Sequence, residues 1–239
     1  MPPRLFMKQL LSGVDFAAHD PFAGQMVNFV TLVGDRVRGE CLVVDPAWDV
    51  RGILAAVQKE GMTLVGVLAT HYHPDHIGGD LFGHPVEGLA ALKECVDVPV
   101  HVHRREAAGV RKMTGLSAGD LILHDGGEVV RVGEISIRLM HTPGHTPGSQ
   151  CFLVEDRALV SGDTLFIQGC GRVDLPGGDP DEMYRTLTQR LAGLPDQVIL
   201  YPGHHYGSQP TSTLAVERRT NPFLRAKNPA DWRRLMSPP

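Results

Sequence analysis

The sequence predicts an α/β protein in which two β-sheets are covered by helices, a four-layer αββα sandwich. Two observations lead there. Short strand-like runs alternate with helical periodicities along the chain, the pattern of helices packed on sheets. There is also a faint internal echo. Residues 29–46 (FVTLVGDRVRGECLVVDP) and 151–166 (CFLVEDRALVSGDTLF) both read as hairpins, containing Asp45 and Asp163 at their ends. Two related β-rich halves would leave such a trace.

Residues 26–33 (MVNFVTLV) and 41–44 (CLVV) read as strands joined by a turn around Gly34 and Asp35. Residues 49–60 read as a helix with Val50, Ile53, Leu54 and Val57 on one face, and Gly61 stands where a terminating glycine belongs. The unbroken apolar run 64–70 (LVGVLAT) predicts a buried strand. Residues 77–98 are Gly-rich and then helical, 99–103 (PVHVH) alternate as a strand, and 104–113 read as helix. Short strands follow at 121–123, 128–132, 134–140, 150–155 and 158–162. Residues 180–192 read as a helix with Pro180 in its first turn, and 197–201 (QVILY) as a strand. A short helical tail punctuated by proline covers 211–239. No linker or charge block divides the sequence, so residues 1–239 are expected to form a single domain.

The composition excludes several functions. With 42% apolar and 21% charged residues in 239, wholesale disorder is ruled out. A net charge of −4 offers no basic field for nucleic acid or an anionic membrane. The longest apolar runs, about six residues, cannot span a bilayer. The N-terminus (MPPRLFMKQLLSG) carries Lys8 within its apolar stretch and lacks signal-peptide features. Cys41, Cys95, Cys151 and Cys170 are widely spaced without a CxxC, and read as free thiols in a reducing cytoplasm. The anomaly is histidine, 12 of 239.

His71-Tyr72-His73-Pro74-Asp75-His76 follows the 64–70 strand directly and concentrates ligands for divalent metals. Chance would produce this pattern on the order of 2 times in 1000 at this composition. In extended chain His71 and His73 point to one side. Adjacent Asp75 and His76 can share an ion only if the chain turns, and Pro74 biases the backbone there. The simplest reading is two neighbouring metals, one at His71/His73 and one at Asp75/His76. His145 (HTPGHTPGS), Asp163 (LVSGDTLF) and His204 (LYPGHHYG), each in a strand-end loop, are the candidates to complete both sites. Asp45 is placed to orient a ligand histidine from behind. His101 and His103 share a strand face and read as structural.

Together, THYHPDH, TPGHTPGS, SGDTLF and YPGHHYG resemble the metallo-β-lactamase-fold hydrolase superfamily, over roughly residues 26–224. GDTLFIQGCGR and STLAVERRTNPFL are most similar to its glyoxalase II (hydroxyacylglutathione hydrolase) and persulfide dioxygenase branches. The resemblance implies an αββα sandwich with a metal centre at one sheet edge. It implies one metal on His71, His73 and His145, a second on Asp75, His76 and His204, and Asp163 bridging them with a hydroxide. In the dioxygenase branch His71, His145 and Asp163 hold a single Fe(II). The resemblance also assigns Arg172 to glutathione carboxylates and Tyr206 to substrate contact. Glyoxalase II enzymes carry a long helical C-terminal region, whereas 35 residues follow His204 in this sequence, so the 77–115 segment is expected to form the pocket wall instead.

The expected activity is hydrolysis of glutathione-type thioesters by a hydroxide shared between two divalent ions, zinc or iron, with Asp75 and Asp163 as the carboxylates at the reacting centre. A thiolate with a parent pKa of about 8.5 leaves without a strong general acid. The alternatives are a mononuclear Fe(II) glutathione persulfide dioxygenase and a non-catalytic metal-binding scaffold. The expected partner is a small thiol or thioester derived from glutathione.

Overall fold

Within residues 41–44, Cys41 and Val43 pack to one side, Leu42 and Val44 to the other, and all four are buried. A strand apolar on both faces belongs to a sheet covered on both sides. The structure, a computed structural model, describes residues 3–236. The first sheet has the order β1 (Leu5–Leu11), β2 (Phe29–Asp35), β3 (Glu40–Val44), β4 (Thr63–Leu68), β5 (Val100–His103) and β6 (Leu121–His124). The second contains β7 (Val129–Val132), β8 (Ile135–His141), β9 (Gln150–Val154), β10 (Ala158–Gly162), β11 (Ile199–Pro202) and β12 (Ser212–Thr213), each beside the next.

Three apolar layers hold the sandwich. Leu42, Val44, Leu68, Ile137, Phe152 and Val160 meet between the sheets. Val50, Ile53 and Val57 of the helix Val50–Lys59 cover the outside of the first sheet. Met183, Leu187, Leu214 and Trp232 cover the second. Alternate residues of one strand thus serve different layers, which is why the strands read as continuous apolar runs.

The internal echo is a repeated topology. β2 and β3 form a hairpin, and β3 then pairs in parallel with β4. β9 and β10 form a hairpin, and β10 pairs in parallel with β11. In an open α/β sheet, ligands bind beyond the carboxyl ends of the parallel strands. Asp45, His71, Asp163 and His204 follow β3, β4, β10 and β11 there. Backbone bonds stitch these ends together across the sheets: Gln150 N–H to Thr70 O, 3.0 Å, and Phe29 N–H to Gly203 O, 2.8 Å.

Three differences from the sequence reading have physical causes. β1 was not expected, because Lys8 interrupts its pattern; its ammonium reaches Glu60 Oε1 at 2.8 Å while Phe6 and Leu10 are buried. The first predicted strand starts at Phe29 rather than 26, because Val27 adopts a left-handed conformation with φ 48°. The helix predicted over 180–192 is α-helical only over Pro180–Arg185 and widens to π turns over Thr186–Arg190, where the Thr186 hydroxyl donates to Pro143 O. The tail forms helices Leu214–Thr220 and Pro229–Met236, the second anchored by buried Trp232, whose indole donates to Pro180 O at 2.7 Å; residues 237–239 of the predicted tail lie outside the described residues. All four cysteines are free. No described helix is long and apolar enough to cross a membrane.

Candidate metal centre

The HYHPDH segment works because it changes conformation midway. His73 is extended (ψ 143°), and Pro74 opens a one-turn helix, Pro74–Ile77. That turn swings Asp75 and His76 away from the line of His71 and His73, as two separate sites require. Glycines let the two sheet ends close on each other. Gly162 has φ +48°, and a Cβ there would lie 2.6 Å from Thr70 Oγ1; one on Gly203 would lie 2.7 Å from Asp163 Oδ1.

The structure brings all seven predicted donors together as two groups. In the first, His73 Nδ1 lies 3.1 Å from His71 Nε2 and 2.9 Å from His145 Nε2. In the second, His76 Nε2 lies 3.2 Å from His204 Nε2, and both lie 3.4 Å from Asp75 Oδ2. Asp163 stands between them, with Oδ1 3.2 Å from His76 Nε2 and Oδ2 3.4 Å from His204 Nε2 and 3.6 Å from His145 Nε2. Tetrahedral coordination with bonds of about 2.0–2.1 Å needs donors about 3.3 Å apart, so the spacing fits a divalent cation in each group.

The outer nitrogens of four of the imidazoles are occupied, which points their inner ones at the centre. His145 Nδ1 donates to Arg172 O and His204 Nδ1 to Met26 O, each at 2.7 Å. Asp45 receives the Thr70 hydroxyl at 2.6 Å and His76 Nδ1 at 2.9 Å. The Thr70 oxygen is then free to accept from His71 Nδ1, 2.9 Å away. With the outer nitrogens committed, the Nε2 atoms of His71, His76, His145 and His204 face inward, where a cation would meet them. Asp163 Oδ1 accordingly is buried with no donor in hydrogen-bonding geometry, an orphan that a cation would satisfy. Asp45 also lies near His71 and His76, but its oxygens are spent on Thr70 and His76, so it braces rather than ligates.

The two groups differ in charge. Burial and the neighbouring imidazoles lower His71 well below the usual histidine range, and burial with His145 pushes His73 down to about 4. Burial lowers His145 too. These three stay neutral, as ligands must. In the second group burial alone would lower His204, but Asp163 and Asp75 outweigh it and hold it up to about 9; His76 is raised by the same carboxylates. Burial would raise Asp163, yet His204 and His76 hold it well down. Protons on these imidazoles balance the buried carboxylates, and a divalent cation can replace them.

Sequence reasoning missed three contributors. Glu106 is buried beside the centre and clasps two donor loops: Oε2 accepts from Tyr72 N–H at 2.9 Å and Oε1 from Gly148 N–H at 2.6 Å. Burial pushes its carboxyl up to about 7 despite these bonds. Asn28 donates through Nδ2 to Asp75 Oδ2 at 3.1 Å, and Trp48 Nε1–H fixes its orientation by donating to Oδ1 at 3.0 Å. None lies in a ligand motif, and a Glu opening a helical stretch looks like any surface residue; the buried amides it meets are distant in sequence. Glu106→Ala is expected to leave both amides without acceptors. It should lower stability by about 2–5 kcal/mol and weaken metal binding by about 10–100-fold. Chemical denaturation and metal titration check this.

The centre opens into a cavity of ≈ 1370 Å³, lined at its floor by His73, Asp75, His145, Asp163 and His204. Leu81, Phe82, Lys112 and Met113 of the 77–115 segment line one wall. Arg172 and Tyr206 also line the cavity. Arg172 is committed to Asp174 through two contacts of 2.7 and 2.6 Å. Tyr206 stacks on His204 with centroids 4.7 Å apart. Burial pushes the Cys170 thiol up to about 12, so it is not a reactive thiolate. Four further histidines pair outside the centre: His101 Nδ1 lies 2.9 Å from His124 Nε2, and His103 stacks on His141. His124 and His141 therefore have specific partners that sequence reading did not suggest. His205 sits edge-on to Phe29 and leaves the centre to His204.

Comparison with known proteins agrees with this architecture. The family model of the metallo-beta-lactamase superfamily matches residues 23–204. The chain is 31% identical over 217 residues to the persulfide dioxygenase ETHE1 of Homo sapiens, spanning 89% of this chain and 78% of that protein. It is 32% identical over 235 residues to a hydroxyacylglutathione hydrolase of Nitrosococcus oceani, spanning 84% of this chain and 82% of the relative. The crystal structure of TTHA1623 in a di-iron-bound form superimposes with a TM-score of 0.65 at 30% identity, covering 83% of this chain and 96% of that one. Paired sheets, histidine motifs at the strand ends and a family match over most of the length converge on one assignment: the chain belongs to the metallo-beta-lactamase superfamily.

Proposed function

We propose that this protein is a thioester hydrolase with two divalent metal ions, zinc or iron, acting on glutathione-type thioesters. One observation carries the reading: the second donor group is braced as thoroughly as the first. Asp45 holds His76, Met26 O holds His204 and Asn28 holds Asp75. Fixed orientation of this kind is what the ligands of a second ion would require. His71, His73 and His145 would hold one ion, Asp75, His76 and His204 the other, with Asp163 between them. Bound there, the ions would supply a nucleophile from water near neutral pH and polarise the thioester carbonyl.

The protein's own groups do the rest. The braced imidazoles keep the donor set fixed, so little reorganisation accompanies the reaction. Asp75, lining the cavity with Oδ2 held by Asn28, takes a proton from the attacking water and passes it to the departing thiolate sulfur. Water adds to the carbonyl carbon, the C–S bond breaks, and a carboxylic acid and a thiol result. Tyr206 and Arg172 stand on the cavity wall where the thiol portion passes. A reducing, cytoplasmic setting fits the four unpaired cysteines.

A second reading is supported by the similarity to the persulfide dioxygenase and by the 3.6 Å approach of His145 to Asp163. There His71, His145 and Asp163 would hold one Fe(II) and the substrate would be a glutathione persulfide. Anaerobic purification with elemental analysis, then parallel assays, separates the two. Two metals per chain and thiol release from lactoylglutathione are expected. One iron per chain with oxygen uptake on glutathione persulfide would overturn the hydrolase reading.

A further inference from the structure

Phe82 occupies a position that packing and backbone preference both argue against. It is 95% exposed. Leu81 pairs with His84, so Phe82 and Gly83 alone form the turn of a hairpin. Both have positive φ, +53° and +89°. A two-residue turn of this kind favours asparagine, aspartate or glycine at its first position, and a bulky aromatic there is strained. The strain wins no intramolecular packing, yet Phe82 lines the cavity above the metal centre beside Leu81 and Met113. Strained residues of this sort concentrate at ligand clamps.

The charge on the same wall has a direction too. Arg172 and Lys112 are the cations lining the cavity. Arg172 is neutralised by Asp174, whereas Lys112 has no ion-pair partner among the described residues. Asp80 also lines this wall, with Oδ1 engaged by Gly83 N–H at 2.9 Å. At ≈ 1370 Å³ the cavity exceeds the range of about 300–1000 Å³ usual for small-molecule sites. A short hydroxyacyl group would leave this wall uncovered.

We propose that the wall selects thioesters with an extended apolar acyl chain, Phe82, Leu81 and Met113 receiving the chain and Lys112 an anionic group of the thiol carrier. The inference rests on the thioester reading, and it is tested by binding alone. S-alkyl glutathiones carry a chain on the same sulfur but cannot be hydrolysed. Calorimetry on the metal-loaded protein is expected to show S-hexylglutathione binding at least about tenfold more tightly than S-methylglutathione. Phe82→Asn, which suits the turn, should melt no lower than the parent and lose most of that preference. Lys112→Gln should weaken both ligands by about two- to fivefold. Equal affinity for the two thioethers, no binding of either, or a preference surviving Phe82→Asn overturns the proposal. So does undiminished affinity in Lys112→Gln. Oxygen uptake without thioester cleavage would remove the hydrolase reading while leaving the chain-length result intact, because no bond breaks in the binding experiment.

Discussion

An Asp163→Ala variant is expected to lose at least about a thousandfold in turnover and most of its bound metal. The carboxylate lies within 3.6 Å of inner nitrogens from both donor groups, so its removal affects both. His76 and His204 would keep only Asp75 as a counter-charge inside the centre, which weakens their hold on a cation. Both readings of the activity place Asp163 on metal, so turnover near the parent's would exclude both. Asp163→Asn separates charge from shape. It keeps an oxygen in place without the negative charge, and an activity as low as that of the alanine variant would assign the effect to charge. Elemental analysis of each variant, with circular dichroism as the check on folding, reads the outcome.

On the two-metal reading, acidification is expected to strip the ions in two steps, and the order follows from the sign of each shift. At the first group, burial and neighbouring imidazoles push His73 down to about 4, so protons do not compete for it until the pH approaches that value. At the second, carboxylates hold His204 up to about 9 in the metal-free protein, and a cation must expel that proton. Affinity there should fall by at least about tenfold for each pH unit below about 9, since His76 is raised as well. The second-group ion therefore leaves first and the first-group ion near pH 4. Loss of both in one step, or full retention at pH 4, would contradict this. Stability follows the same shifts. Between about 6.5 and 4 the unfolded chain takes up protons that folded His73 refuses, so stability falls as pH falls. His204 acts oppositely: its contribution is complete below 6.5 and disappears as pH rises through about 9. Metal-free protein should thus weaken between pH 6.5 and 9 through this group, and thermal melts with and without metal test it.

The donor set was legible because ligand chemistry is local. HYHPDH combines three imidazoles, a carboxylate and a proline turn within six residues, and each remaining donor stands in a Gly- or Pro-marked loop after an apolar run. The layers were legible for a related reason: strands buried on both faces are apolar at every position, and the helix at 50–59 shows its stripe. β1 was hidden because a strand whose lysine finds a partner on a distant helix has no clean alternation. The role of Arg172 looked different in sequence, where the Asp174 two residues on does not announce that it will take the guanidinium.

Residue type and spacing along the chain sufficed for the family and the layered architecture and singled out the histidines and aspartates that converge, since those depend on side-chain chemistry and short-range periodicity. The bracing by Glu106, Asn28 and Thr70 and the exposed Phe82 over the cavity needed the folded chain. Glu106 and Gly148 lie 42 positions apart in sequence, and Asn28 and Asp75 lie 47 apart. Such contacts arise from how two sheets close on each other, a distance relation that no local pattern encodes.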